Sequence, residues 1–201
     1  MKIERYVLGP IGTNTYLLEE EGKVLFIDPA SKAEKLFPLL EGKELLGILL
    51  THGHFDHIKA VDGLVKQYHC PVYLHPLDKE LATSDEIYQQ DVRRFGFGAK
   101  ITVPLTDLQE GELQVGPFKC EVIHTPGHTP GSVLFRFEND LFTGDTLFHG
   151  SIGRTDLYGG DWRQMKDSLR RIAELPAELN IYPGHEGLST LAWEFQYNPY
   201  L

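Results

Sequence analysis

Leu45-Leu-Gly-Ile-Leu-Leu-Thr-His-Gly-His-Phe-Asp-His57 runs from an apolar stretch straight into three histidines and an aspartate. The stretch reads as a buried strand, and the polar cluster as the loop that follows it, where sites are commonly built. Downstream, Val61, Leu64, Val65 and Tyr68 recur at i, i+3, i+4 and i+7, the stripe of a helix packed on a sheet. Working outward, Val24–Ile27, Val133–Phe135 and Leu141–Phe142 are short apolar runs between Gly, Pro or Asp punctuation, and read as further buried strands. A second helix is expected after Asp161. Asp161 and Gln164 have capping-box spacing, Trp162, Met165, Leu169, Ile172 and Leu175 form its apolar stripe, and Pro176 closes it. Residues 77–98 are polar and mixed; they read as one helix ending at Phe95-Gly-Phe-Gly98, with aromatics that either cover a pocket or belong to an ordinary surface turn. Strands and helices mixed in one unit predict a layered α/β fold.

The 201 residues suit a single domain over 1–201. With 41% hydrophobic and 24% charged residues, the chain is globular in composition, not disordered or collagen-like. The formal net charge of −10 repels phosphate backbones and anionic lipid headgroups, so neither nucleic acid nor a membrane surface is an expected partner. Met1–Pro10 lacks a signal-like apolar stretch, and a cytoplasmic location is expected. Cys70 and Cys120 lie outside any Cys-x-x-Cys spacing and are expected to be packed, reduced thiols.

With 9 histidines in 201 residues, a His-x-His-x-Asp-His pattern arises by chance in roughly one such sequence per thousand. Imidazole and carboxylate donors suit zinc or a similar divalent ion. Four of them do not readily converge on one tetrahedral centre and still leave room for substrate, which favours two metal positions. Further donors are available at other turns: His128 in His124-Thr-Pro-Gly-His-Thr-Pro-Gly131, Asp145 in Phe142-Thr-Gly-Asp-Thr146, and His185 in Tyr182-Pro-Gly-His-Glu186. His124 reads as a hydrogen-bonded turn residue, and His69, His75 and His149 as surface positions or as residues behind the ligands.

These motifs, in this order, resemble the metallo-β-lactamase-fold superfamily. Gly9-Pro-Ile-Gly-Thr-Asn-Thr-Tyr-Leu-Leu18, Ile27-Asp-Pro29, Gly150-Ser-Ile-Gly-Arg-Thr-Asp-Leu157 and Asn198-Pro199 are similar, more narrowly, to the short glyoxalase-II-like (hydroxyacylglutathione hydrolase-like) hydrolases. The resemblance implies an αββα sandwich of two mixed β-sheets flanked by helices. It also implies one ion on His52, His54 and His128, a second on Asp56, His57 and His185, and Asp145 between them. Asp28 is implied as the acceptor that fixes a ligand histidine's tautomer. Arg154 is a candidate for a substrate carboxylate, although a salt bridge to Asp156 competes for it, and Tyr158 is a candidate pocket wall.

Two divalent ions, zinc first with iron or manganese accepted by the same donors, lower the pKa of a shared water to about 7. A bridging hydroxide is then the expected nucleophile, with Asp56 orienting it. Thioesters fit such a site, because a thiolate of conjugate pKa about 8.5 leaves without prior protonation. The expected substrate is therefore a small acyl thioester, which the resemblance to the glyoxalase-II-like hydrolases implies is S-lactoylglutathione or a relative, with a lactone or other ester less favoured. Longer glyoxalase II enzymes carry an added C-terminal helical region that contacts glutathione, whereas this sequence ends at Leu201, so the thiol partner stays open. The rival reading is a persulfide dioxygenase, which shares a Gly-Arg-Thr-Asp segment and uses one iron. A true β-lactamase is disfavoured because dizinc members usually place Cys where Asp145 stands.

Overall fold

A computed structural model describes residues 1–201. The first sheet is built from β1 (Lys2–Leu8), β2 (Thr13–Glu20), β3 (Lys23–Ile27), β4 (Glu44–Leu49), β5 (Val72–Leu74) and β6 (Thr106–Asp107), in that spatial order. Its first three strands are antiparallel, and β3 to β6 run parallel. Between β4 and β5 lie the short helix α1 (Phe55–Ile58) and α2 (Val61–Tyr68). After β5 come α3 (Lys79–Thr83) and α4 (Asp85–Phe95). The second sheet holds β7 (Gly111–Val115), β8 (Phe118–His124), β9 (Val133–Phe137) and β10 (Asp140–Gly144). The small hairpin β11 (Leu147–Phe148) and β12 (Ser151–Ile152) and helix α5 (Trp162–Ala173) follow. The chain then adds β13 (Asn180–Pro183) and β14 (Ser189–Thr190) to the second sheet, and ends with α6 (Leu191–Tyr197). Only β10 and β13 pair in parallel there, so both sheets are mixed.

Unbroken apolar runs make sense because the strands are covered on both faces. Along β3, Leu25 and Ile27 face Tyr16, Val122, Phe135 and Phe142 between the sheets. Alternate residues Val24 and Phe26 point the other way, onto Val61 and Leu64 of α2. A third cluster sets Leu134, Leu141 and Ile181 of the second sheet against Met165, Leu169 and Ile172 of α5. The result is helix, sheet, sheet, helix. Cys70 and Cys120 are free and buried, and burial pushes their thiols up to about 11 and about 12.

Three local expectations need correction. Residues 77–98 form two helices, not one: Ser84 interrupts them, its hydroxyl accepting the Ile87 amide as the N-cap of α4. At Asp161 only half of the capping box exists. The carboxylate accepts the amides of Arg163 and Gln164, but Gln164 makes no return bond. Trp162, assigned to the apolar stripe of α5, is 45% exposed and packs on Tyr200 at the rim. It occupies the first helical position, where the helix has barely met the sheet.

Candidate metal centre

Parallel strands place their C-terminal ends at one edge, and the donor-bearing turns gather there. Asp28 follows β3, Thr51 to His57 follow β4, Asp145 follows β10 and His185 follows β13. His128 arrives from the loop between β8 and β9. The two sheets are tied together at this edge. The Asn14 amide donates to Gly184 O at 2.7 Å, the Tyr16 hydroxyl to Pro183 O at 2.6 Å, and the Val133 amide to Thr51 O at 2.9 Å.

Donor atoms of His52, His54 and His128 all lie within 4.8 Å of one another, as do those of Asp56, His57 and His185. Asp145 stands between the two sets: Oδ1 is 3.3 Å from His57 Nε2, and Oδ2 is 3.4 Å from His128 Nε2 and 3.5 Å from His185 Nε2. Asp56 Oδ2 is 3.2 Å from His57 Nε2 and 3.3 Å from His185 Nε2. Gly184 makes this approach possible, since a Cβ there would overlap Asp145 Oδ1 and stand 2.8 Å from His57 Cε1.

The surrounding hydrogen bonds fix which ring nitrogens keep a lone pair. Asp28 accepts the Thr51 amide on Oδ1 and the Thr51 hydroxyl on Oδ2. The same Oδ2 is 2.9 Å from His57 Nδ1, which donates to it, so Nε2 is the nitrogen that carries the lone pair whenever the ring is neutral. Because the Thr51 hydroxyl is spent on Asp28, it accepts from His52 Nδ1 at 3.0 Å, and His52 Nε2 also keeps its lone pair. His128 Nδ1 donates to Arg154 O at 2.7 Å, with the same outcome. His54 faces His128 Nε2 through Nδ1 at 2.8 Å.

His52 Nε2, His57 Nε2 and Asp145 Oδ1 are buried without a hydrogen-bond partner. A buried polar atom left so costs about 1–3 kcal/mol, and converging N and O lone pairs are what a divalent cation of the zinc or iron kind accepts. The residues present therefore fit such ions.

Charge divides the centre in two. Burial holds His52 well below the usual imidazole range and, with His128, brings His54 down to about 3, so these rings are neutral and can offer lone pairs. Burial disfavours charge on His57 too, yet Asp56, Asp145 and Asp28 overcome it and raise that ring well above its ordinary value. His185 is lifted to about 9 against its burial by Asp145 and Asp56. Both carboxylates sit well below the usual range, because His57 and its neighbours outweigh the penalty of burial. The negative charge thus lies around Asp56 and Asp145, on the side facing His57 and His185.

A cleft of about 550 Å³ opens over His54, Asp56, His128, Asp145 and His185. Arg154 and Tyr158 both line it. Arg154 is half exposed and gripped by Asp156 through two bonds of 2.6 and 2.7 Å, so its guanidinium is engaged within the protein. Phe95 and Phe97 also line the cleft, packing against Phe55 in tilted and edge-on fashion with centroids 5.4 and 5.5 Å away. The other histidines lie apart: His124 donates to Pro130 O, His75 stacks on His124, and His149 stacks on Trp193. Sequence reading singled out neither Thr13, whose hydroxyl donates to Asp56 Oδ2 at 2.7 Å, nor Thr51, nor Asp78. Thr13 stands within a quoted motif; Asp78 carries no local signal.

Residues 8–185 match the Metallo-beta-lactamase superfamily. The chain is 38% identical to a probable metallo-hydrolase, YqgX, of Bacillus subtilis over all of its own length and 98% of that protein. It is 36% identical to the hydroxyacylglutathione hydrolase GloC of Haemophilus influenzae, across 91% of this chain and 89% of the other. Among solved structures, BLEG-1 B3 metallo-beta-lactamase superposes with a TM-score of 0.93 at 39% identity, covering 100% and 99% of the two chains. TTHA1623 in a di-iron-bound form gives 0.90 at 41% identity, covering 98% and 100%. Two mixed sheets flanked by helices, a histidine-rich edge and a match over most of its length lead to one conclusion: the chain belongs to the metallo-beta-lactamase superfamily.

Proposed function

We infer that the protein is a dinuclear metal-dependent thioester hydrolase of the glyoxalase-II kind, acting on S-lactoylglutathione or a related small acyl thioester. The observation that carries this reading is Asp145 standing between two three-donor sets at the floor of an open cleft. His52, His54 and His128 would hold one ion and Asp56, His57 and His185 the other, with Asp145 placed between them. Bound there, zinc, iron or manganese supplies a water ionised near neutral pH and a Lewis acid for the acyl carbonyl.

The remaining work falls to the chain itself. Asp28 and the Arg154 carbonyl keep His57 and His128 in the ligating tautomer. Asp56, held by the Thr13 hydroxyl, orients the attacking water. Phe95 and Phe97 shield the acyl group from bulk water, while Tyr158 and Arg154 lie where the thiol portion leaves the cleft. No proton donor to sulfur is required, since a thiolate is a competent leaving group. Similarity to GloC supports the thioester, and the di-iron state of TTHA1623 supports two metal positions with iron as an alternative to zinc. The donor set of imidazoles and carboxylates, without thiolate, suits zinc equally.

A small molecule is the proposed partner, with nucleic acid and membranes disfavoured by the net charge of −10. No helix is long and apolar enough to cross a membrane. Two free, buried thiols fit a reducing cytoplasm, which is the proposed location.

Metal analysis of the purified protein, paired with turnover of S-lactoylglutathione, tests the reading. Two ions per chain and hydrolysis are expected. His54→Ala should lose one of the two ions together with activity and keep its circular dichroism spectrum. One iron with oxygen consumption on glutathione persulfide would establish the dioxygenase instead, and nitrocefin turnover would establish the lactamase activity named for BLEG-1.

A further inference from the structure

Asp78 is fully buried at the end of a short 3-10 turn, Pro76–Asp78, that follows β5. Its carboxylate reaches two separate loops. Oδ2 accepts the Gly53 amide at 2.8 Å and the Thr129 hydroxyl at 2.7 Å, and Oδ1 accepts the Gly131 amide at 2.6 Å. Gly53 lies between His52 and His54; Thr129 and Gly131 follow His128. Both glycines are pressed against Asp78. A Cβ on Gly53 would come within 2.9 Å of Asp78 O, and one on Gly131 within 2.6 Å of Oδ1. Burial raises its carboxyl pKa, and the Thr129 hydroxyl and the two amides only partly offset that. A carboxylate buried at such cost, with every bond spent on two ligand loops, needs a reason that apolar packing does not supply.

We propose that Asp78 is a positioning residue, holding the loop of His52 and His54 in register with the loop of His128 so that these three histidines close on one cation. This rests on the two-cation reading above. None of its bonds reaches the loops of Asp145 or His185, so its influence falls on one ion and spares the other.

An Asp78→Asn substitution separates this from plain packing. It keeps the shape but replaces one oxygen with an NH2 group. Whichever way the amide turns, a donor meets either Gly131 N–H or the pair Gly53 N–H and Thr129 O–H, and one loop is released. Loss of a hydrogen-bond partner behind metal ligands typically costs about 10–100-fold in affinity. The full-length protein, dialysed against graded buffered zinc and assayed for bound metal, gives the readout without reference to activity. Asp78→Asn is expected to hold one zinc as tightly as the wild type and the second at least about tenfold more weakly. In a His185→Ala background Asp78→Asn should weaken the remaining ion, and in a His54→Ala background it should leave it unchanged. Thr129→Val, which removes one hydroxyl and keeps the volume, should shift the same ion in the same direction and serves if Asp78→Asn does not fold. Equal weakening of both ions, or none, overturns the proposal, because a packing role alone would lower the melting temperature without choosing between them. If the wild type holds a single zinc, the two-cation reading fails, and the Asp78 proposal stands or falls on whether Asp78→Asn weakens that ion.

Discussion

At the scale of single residues, the centre is crowded enough that one hydrogen atom decides its geometry. Gly184 shows this: its α-carbon is where Asp145 and His57 leave no room for a methyl group. Gly184→Ala must move Asp145, the carboxylate placed between the two donor sets, or swing the turn that carries His185. The expected outcome is loss of at least one metal ion per chain, measured by elemental analysis, while the metal-free variant melts close to the metal-free wild type. Full metal content in that variant would mean that the turn yields without disturbing the donors. The residues that converge here were legible because each donor sits beside Gly or Pro in a short motif. The residues that support them were not. Thr13 meets Asp56 across 43 positions, and Asp78 meets Gly131 across 53, with no pattern in the intervening sequence to link them. Asp28 is intermediate: it was read through its Asp-Pro context, but that its oxygens bind both Thr51 and His57 appears only in the fold.

At the scale of elements, apolar runs and helical stripes located what packs on the core and missed the break in what lies over the cleft. The apolar runs that became β3, β4, β9 and β10 are covered on both faces, so their composition alone marks them. Helices α3 and α4 lie at the cleft with little buried apolar surface, and their break at Ser84 depends on one side-chain bond. Helix α4 ends at Gly96, whose φ of +81° lets Phe95 and Phe97 lie on either side of the turn and both touch Phe55, the residue between His54 and Asp56. The end of α4 is thereby coupled to the ligand loop as a wall of the cleft. Phe97→Ala should remove contact with the substrate and leave the donors in place. A partly buried aromatic contact of about 1 kcal/mol corresponds to a KM about fivefold higher, with kcat and zinc content unchanged. Steady-state kinetics on a thioester series gives the answer, and a fall in kcat with loss of metal would instead assign Phe97 to support of the loop.

At the scale of the whole molecule, the two sheets meet at the edge where the donors gather. His52, His54, Asp56 and His57 extend from the first sheet, whereas His128, Asp145 and His185 extend from the second. Each three-donor set therefore draws ligands from both sheets, and a cation bound to either set ties one layer to the other. Binding to the folded chain alone stabilises it by RT ln(1 + [L]/Kd), about 2.7 kcal/mol at a hundredfold excess over Kd. At about 2–4 °C per kcal/mol for a domain of this size, chelation should lower the melting midpoint by roughly 5–11 °C per ion under those conditions. The loss should also be local. Without the cations, His52 Nε2, His57 Nε2 and Asp145 Oδ1 have no partner, so hydrogen exchange should quicken first at the Asn14 and Val133 amides, which bridge the sheets to Gly184 O and Thr51 O. The strands between Leu25 and Phe135 should stay protected, because their contact is apolar and independent of metal. An unchanged melting midpoint after complete metal removal, with exchange at the bridging amides as slow as before, would mean that the sheets hold the donors in place unaided and that the cations do no more than chemistry.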